Sequence, residues 1–126
     1  MKGYKQLVTE ANAVVKTLSV EAAQSFLGDE EVVFVDLRDY PELERDGKLP
    51  GAIHASRGML EFLIDPESPF HNQVFSSGKQ FLFYCASGGR SALAAQRAQE
   101  MGLKAVAHLG GGLKAWREAG GIIETI

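Results

Sequence analysis

Two stretches, "VVFVDL" at 32–37 and "QFLFYC" at 80–85, restrict the architecture more than any other part of the chain. Each is a short continuous apolar run rich in β-branched or aromatic residues, the pattern of a strand buried on both faces of a parallel sheet. "AIHA" at 52–55 and "AVAHL" at 105–109 are further strands of this kind. Helical spacing fills the intervals. Leu7, Ala11, Val14, Val15 and Leu18 predict an amphipathic helix over 3–17, with Lys2, Lys5 and Lys16 off its apolar face. Ser19 caps a second helix over 20–28 that stops at Gly28, and further helices are expected over 91–101 and 111–119. Strands alternating with helices define an α/β chain, a central parallel β-sheet with helices on both faces. In such sheets the ligand site lies beyond the carboxyl ends of the strands. The connection 59–78, interrupted by Pro66 and Pro69, is long. It is either a lid over that site or a surface excursion with Met59, Phe62 and Leu63 packed on the core.

The 126 residues fit one domain with one continuous core. A formal charge of −3 without any Lys/Arg-rich run excludes duplex nucleic acid as a partner, since phosphate binding needs clustered cations. No apolar stretch approaches the roughly 18 residues of a membrane span, and the N-terminus lacks the apolar core of a signal peptide. The expected location is therefore cytoplasmic, with no membrane partner. His54, His71 and His108 are too dispersed for a metal site. The single cysteine, Cys85, rules out an internal disulfide and any multi-thiolate metal centre. It is either an inert core thiol or a reactive one.

Its neighbours favour reactivity. Cys85 ends an inferred strand, and the helix beginning near Ser91 aims unpaired backbone N–H groups back into the loop 85–90. Gly88 and Gly89 let the backbone curl around an atom at the centre, and Arg90 adds a permanent charge. A helix terminus alone stabilises an anion by ~0.3–1 kcal/mol. Charge-assisted bonds from the loop add on the order of 1.5–3 kcal/mol each, so two or three such bonds make a thiolate reasonable at neutral pH.

Four blocks then carry a family resemblance: "VDLRDYPEL" at 35–43, "GKLPGAIHAS" at 47–56, "YCASGGRSALAA" at 84–95 and "LGGGLKAW" at 109–116. The chain resembles a single-domain rhodanese-like sulfurtransferase from about Leu18 to Gly121. On that basis residues 1–17 form an N-terminal helical extension and 18–126 the rhodanese-like domain. Lys48 departs from the family's usual histidine, an exchange expected to affect packing more than catalysis. The resemblance implies a thiosulfate:cyanide sulfurtransferase type of activity without cofactor or metal. The Cys85 thiolate attacks the outer sulfur of a small sulfur-containing anion such as thiosulfate. The resulting persulfide is held by the N–H groups of Ala86, Ser87, Gly88, Gly89 and Arg90, and Arg90 also holds the donor's anionic end. A thiol, cyanide or protein acceptor removes the sulfur.

Asp36 and Arg38 match the family's Asp-x-Arg and are expected to support the site, chiefly as a buried pair tying loops together. Phosphatases on a similar fold have five residues between cysteine and arginine, whereas Cys85 and Arg90 enclose four, with Tyr84 where those enzymes place a histidine. The shorter loop favours sulfur over phosphate. Ser56 and Arg57 either add charge at the pocket mouth or sit in a solvent-facing turn, and Trp116 packs its helix. Residues 3–17 are the candidate homodimer contact. The alternative function is a persulfide relay or a non-enzymatic docking module for a protein partner.

Overall fold

The computed structural model describes residues 1–126. Five strands, β1 (Lys16–Leu18), β2 (Val32–Asp36), β3 (Ile53–His54), β4 (Gln80–Tyr84) and β5 (Val106–Leu109), form one parallel sheet in the order β1-β5-β4-β2-β3. Six α-helices accompany them: α1 (Tyr4–Val14), α2 (Val20–Gln24), α3 (Tyr40–Asp46), α4 (Leu60–Ile64), α5 (Gly89–Glu100) and α6 (Gly112–Glu118). The expected α/β class holds. No helix is long and apolar enough to cross a membrane.

Alternation along the central strands divides the core into two layers. On one face Val35, Phe81 and Phe83 meet Leu60 and Ile64 of α4 and Ala94, Ala95 and Ala98 of α5. The alanines let α5 lie close to the sheet, and Phe75 stacks on Phe81 at 5.2 Å. On the other face Phe34, Leu82, Tyr84 and Leu109 meet Ala23 of α2 and Leu113 and Trp116 of α6. Burying each large side chain contributes ~1.5–3 kcal/mol. This explains why "VVFV" and "FLFY" are apolar at successive positions. Trp116 is fully buried and donates Nε1–H to the Ile122 carbonyl at 2.8 Å.

Several boundaries differ from the periodicity. The helix expected over 3–17 stops at Val14. Val15 turns extended (φ −107°, ψ 155°), and residues 16–18 become β1, pairing with β5 so that Thr17 lies opposite His108. Leu18 continues the helical stripe in sequence, but its carbonyl accepts the Gly110 N–H at 2.9 Å in the strand arrangement. α1 lies on α5 with Ala11 buried, and Tyr4, Leu7 and Val14 are exposed. The second helix ends at Gln24 in place of 28, followed by turns to Gly28. α3 was not expected, although Pro41 in its first turn and Gly47 (φ 77°) at its end are ordinary helix punctuation. The connection 59–78 is anchored by Leu60, Ile64 and Phe75 in the core. Of its three expected packing residues only Leu63 joins that core, while Met59 and Phe62 stay exposed.

The carboxyl ends of β2 and β4 are tied by a buried polar cluster. Asp36 lies opposite Tyr84, whose hydroxyl donates to Asp36 Oδ2 at 2.6 Å and accepts the Leu49 N–H at 3.1 Å. Tyr84→Phe strands the Leu49 N–H and removes one donor from a buried carboxylate. The expected result is a loss of about 1–3 kcal/mol, read as a lower urea midpoint with unchanged slope.

Candidate active site

Cys85 is the first residue beyond β4, and α5 begins four positions later. Gly88, the residue before α5, is left-handed (φ 105°) and has no side chain with which to cap the helix. The cysteine sulfur takes that place. Sγ accepts the N–H groups of Gly88 at 3.2 Å and Ser91 at 3.4 Å, so two donors that a helix start leaves unpaired converge on one polarizable atom. Gly89 and Arg90, the first two residues of α5, bring further N–H groups without intrahelical acceptors to the same rim.

Only Gly88 of the five expected loop residues touches Sγ. Ser91 is the second donor, and its place in the third position of the helix was the available signal. Cys85 is 1% exposed. The Ser91 hydroxyl lies 3.6 Å from Sγ and 2.9 Å from Nδ1 of His108.

The loop's outward side is held by α6. Leu113 N–H donates to the Cys85 carbonyl at 2.9 Å, and Lys114 N–H to the Ala86 carbonyl at 3.0 Å. Gly112 (φ 59°) makes this approach, since a Cβ there would stand 2.5 Å from the Cys85 oxygen and 2.7 Å from the Ala86 carbonyl. The glycines of "LGGGLKAW" thus serve the loop as well as the start of α6.

Arg90 donates from Nη1 and Nη2 to the two carboxylate oxygens of Glu42, at 2.8 and 3.0 Å. Its fork, expected to receive a donor's anionic end, is occupied by Glu42 in this structure. The Arg90 hydrogen bonds, helped by the Asp39 N–H, lower the Glu42 carboxyl to about 2. Glu42 in turn raises Arg90. Glu42 was overlooked because its signal, an acidic residue three positions after Asp39, reads as ordinary helix capping, a role it also fills at 2.9 Å.

Asp36 and Arg38 form the expected buried pair at 2.7 Å, and Arg38 also donates to the carbonyl of Gly47 at 2.6 Å. Burial pushes the Arg38 pKa down, but the Asp36 carboxylate outweighs it and the net shift is upward. Burial and then Asp36 raise Tyr84. The pair makes no hydrogen bond to Sγ or to residues 85–90; it ties β2 to the end of α3 and, through Tyr84, to the strand that leads into Cys85. His54 binds the Arg38 carbonyl at 2.6 Å, and His71 binds Leu63 and Ser76 within its own connection. Arg57 pairs with Glu61 at 2.9 Å. Lys48 bridges the Ala52 carbonyl and Glu124, a packing role. Beside Ala86 a hollow of about 370 Å³ is lined by Arg38, Lys114 and Arg117, with Asp46 and Glu118 on its wall.

The sequence profile of the Rhodanese-like domain matches residues 19–119. The chain belongs to that family. YtwF of Bacillus subtilis, provisionally named a sulfurtransferase, is 29% identical over 81% of this chain and 90% of its own length. Among solved structures, a Rhodopseudomonas palustris protein of unknown function, named a possible tyrosine phosphatase, has a TM-score of 0.96 and 53% identity, over 98% of this chain and 96% of its own. The polysulfide-sulfur transferase homodimer of Wolinella succinogenes has a TM-score of 0.73 and 30% identity, over 98% of this chain and 88% of its own. These likenesses agree with the rhodanese-like fold and single-domain size expected from the four sequence blocks.

Two outcomes follow from this geometry. Glu42 stays ionised down to about pH 2 in the folded chain but protonates near pH ~4.3 when unfolded. Its contribution is full above the unfolded value and is lost as pH falls through the folded one. Because the pair is partly exposed, Glu42→Gln is expected to cost about 1 kcal/mol at pH ~7. The gap from the native protein should close on acidification in urea unfolding. Gly112→Ala should displace the Cys85 and Ala86 carbonyls, costing about 1–3 kcal/mol and broadening or shifting the amide resonances of residues 85–91.

Proposed function

We propose that the protein is a rhodanese-type sulfurtransferase that carries a sulfane sulfur on Cys85 as a persulfide. The observation that carries this reading is the convergence of the Gly88 and Ser91 N–H groups on Sγ, with α5 starting at the same point. Such donors cost no reorganisation when negative charge develops on sulfur. In the first half-reaction the Cys85 thiolate forms a bond to the outer sulfur of a donor such as thiosulfate, the donor's S–S bond breaks, and its electron pair leaves on sulfite. In the second, a thiol or cyanide attacks the outer sulfur of the persulfide, and the Cys85 thiolate is the leaving group. The outer sulfur lies toward the N–H groups of Gly89 and Arg90 in this reading. Lys114 and Arg117 on the neighbouring hollow can meet an anionic donor's charge, with Asp46 and Glu118 on the same wall opposing it and Arg38 already paired with Asp36.

The name of the Rhodopseudomonas relative raises phosphatase chemistry as the competing reading. Two features weigh against it here. Four residues separate Cys85 from Arg90, and the Arg90 fork, which would clamp a phosphate, faces Glu42. A role as a docking module leaves unexplained why the sulfur sits on two N–H donors.

The test is to assay thiocyanate formation from thiosulfate and cyanide beside hydrolysis of an aryl phosphate, for the native protein and Cys85→Ser. Thiocyanate should form and drop by about 10³-fold or more in the variant, whose circular dichroism stays native. Cysteine-dependent phosphate release without thiocyanate would instead make the protein a phosphatase.

A further inference from the structure

His108 is buried, lies beyond hydrogen-bond reach of the loop backbone, and has both ring nitrogens engaged. Nδ1 is 2.9 Å from Ser91 Oγ, while Nε2 is 2.8 Å from Asn12 Oδ1 and 3.1 Å from Thr17 Oγ1. An amide oxygen only accepts, so Nε2 carries the proton and donates to Asn12. Nδ1 is then the acceptor, and the Ser91 hydroxyl donates to it. That leaves the lone pairs of Ser91 Oγ toward the Cys85 thiol, 3.6 Å away. A continuous path of donors and acceptors therefore leads from Sγ through one hydroxyl to an imidazole whose far side is fixed by an amide.

We propose that Ser91 and His108 form a proton relay for Cys85, anchored by Asn12 and Thr17. The thiol proton moves to Ser91 Oγ as the Ser91 hydroxyl proton moves to His108 Nδ1. The products are a thiolate on the Gly88 and Ser91 N–H groups and an imidazolium whose Nε2–H is held by Asn12. No electrons are transferred, and the proton returns by the same path when Cys85 is released as a leaving group. The relay rests on the sulfurtransferase reading and deepens it. Cys85 is 1% exposed, so its proton lacks an open route to solvent, and the relay gives it an acceptor inside the protein.

The surroundings of His108 suit this role. Asn12 comes from α1, Thr17 from β1, Ser91 from α5, and Phe83 is its register neighbour on β4. Burial alone lowers its pKa, which keeps the resting ring neutral and Nδ1 able to accept. Lys16 of β1 is exposed, and Arg90 at the end of the loop is paired with Glu42. The charge that stabilises an imidazolium is therefore the thiolate created with it. Asn12 and Thr17 lie before residue 19, where the family match begins. The N-terminal helix and edge strand thus complete the site in addition to covering α5.

The test uses the thiolate's ultraviolet absorbance against pH for the full chain, with Cys85→Ser as the blank. It needs no sulfur donor. Ser91→Ala removes the hydroxyl, whereas His108→Gln still accepts a hydrogen bond from Ser91 but cannot take its proton. The relay predicts that the titration midpoint rises by about one pH unit or more in both variants. Thiocyanate formation should fall about 10-fold at neutral pH and recover in alkali. A midpoint that moves in Ser91→Ala but not in His108→Gln would reduce His108 to packing and overturn the relay, as would unchanged midpoints in both. Should His108→Gln fail to fold, Asn12→Ala, which removes the anchor of the imidazolium, takes its place with the same expected direction. Midpoints that rise in both variants while the native protein never loads sulfur would refute the sulfurtransferase reading and leave the relay standing.

Discussion

Two hydrogen bonds from the start of α6, to the carbonyls of Cys85 and Ala86, decide which way the loop after β4 faces. With its carbonyls turned outward, the loop and the first turn of α5 turn their N–H groups inward, and Sγ is the atom they meet. The remaining architecture serves that arrangement. The parallel sheet delivers Cys85 and the start of α6 to the same edge, because strands β4 and β5 are neighbours and each feeds the helix that follows it. Gly112 removes a Cβ that would keep α6 from the loop.

A second layer of polar contacts fixes the loop from the other side. Arg90 is held by Glu42 on α3, the end of α3 is held by Arg38, and Arg38 is held by Asp36, which also takes the hydroxyl of Tyr84 next to Cys85. This circuit encloses the loop without touching the sulfur. Replacing a member should alter stability and loop geometry before it alters the chemistry of the thiol. Ser91 and His108 differ, since they lie in line with Sγ itself.

Much of this was legible in the sequence. The apolar runs gave the buried strands because a strand covered on both faces has no polar positions to spare. The cysteine followed by glycines, an arginine and a helix identified the loop. β1 was not legible: "KTL" is three residues long, and Leu18 extends a helical stripe until pairing with β5 claims its carbonyl. The Glu42 pair and the contact of Ser91 with His108 join residues 48 and 17 positions apart, and local spacing carries no trace of them. His108 read as one apolar-strand histidine among three. Only the packing of α1 and α5 near β5, and the pairing of β1 beside it, shows what both ring nitrogens touch.

The most direct test of the central claim is the intact mass of the reduced protein after thiosulfate, measured again after cyanide. The account predicts a gain of one sulfur that cyanide removes, with thiocyanate appearing in solution and no gain in Cys85→Ser. An unchanged mass with thiosulfate, mercaptopyruvate and polysulfide alike would contradict it.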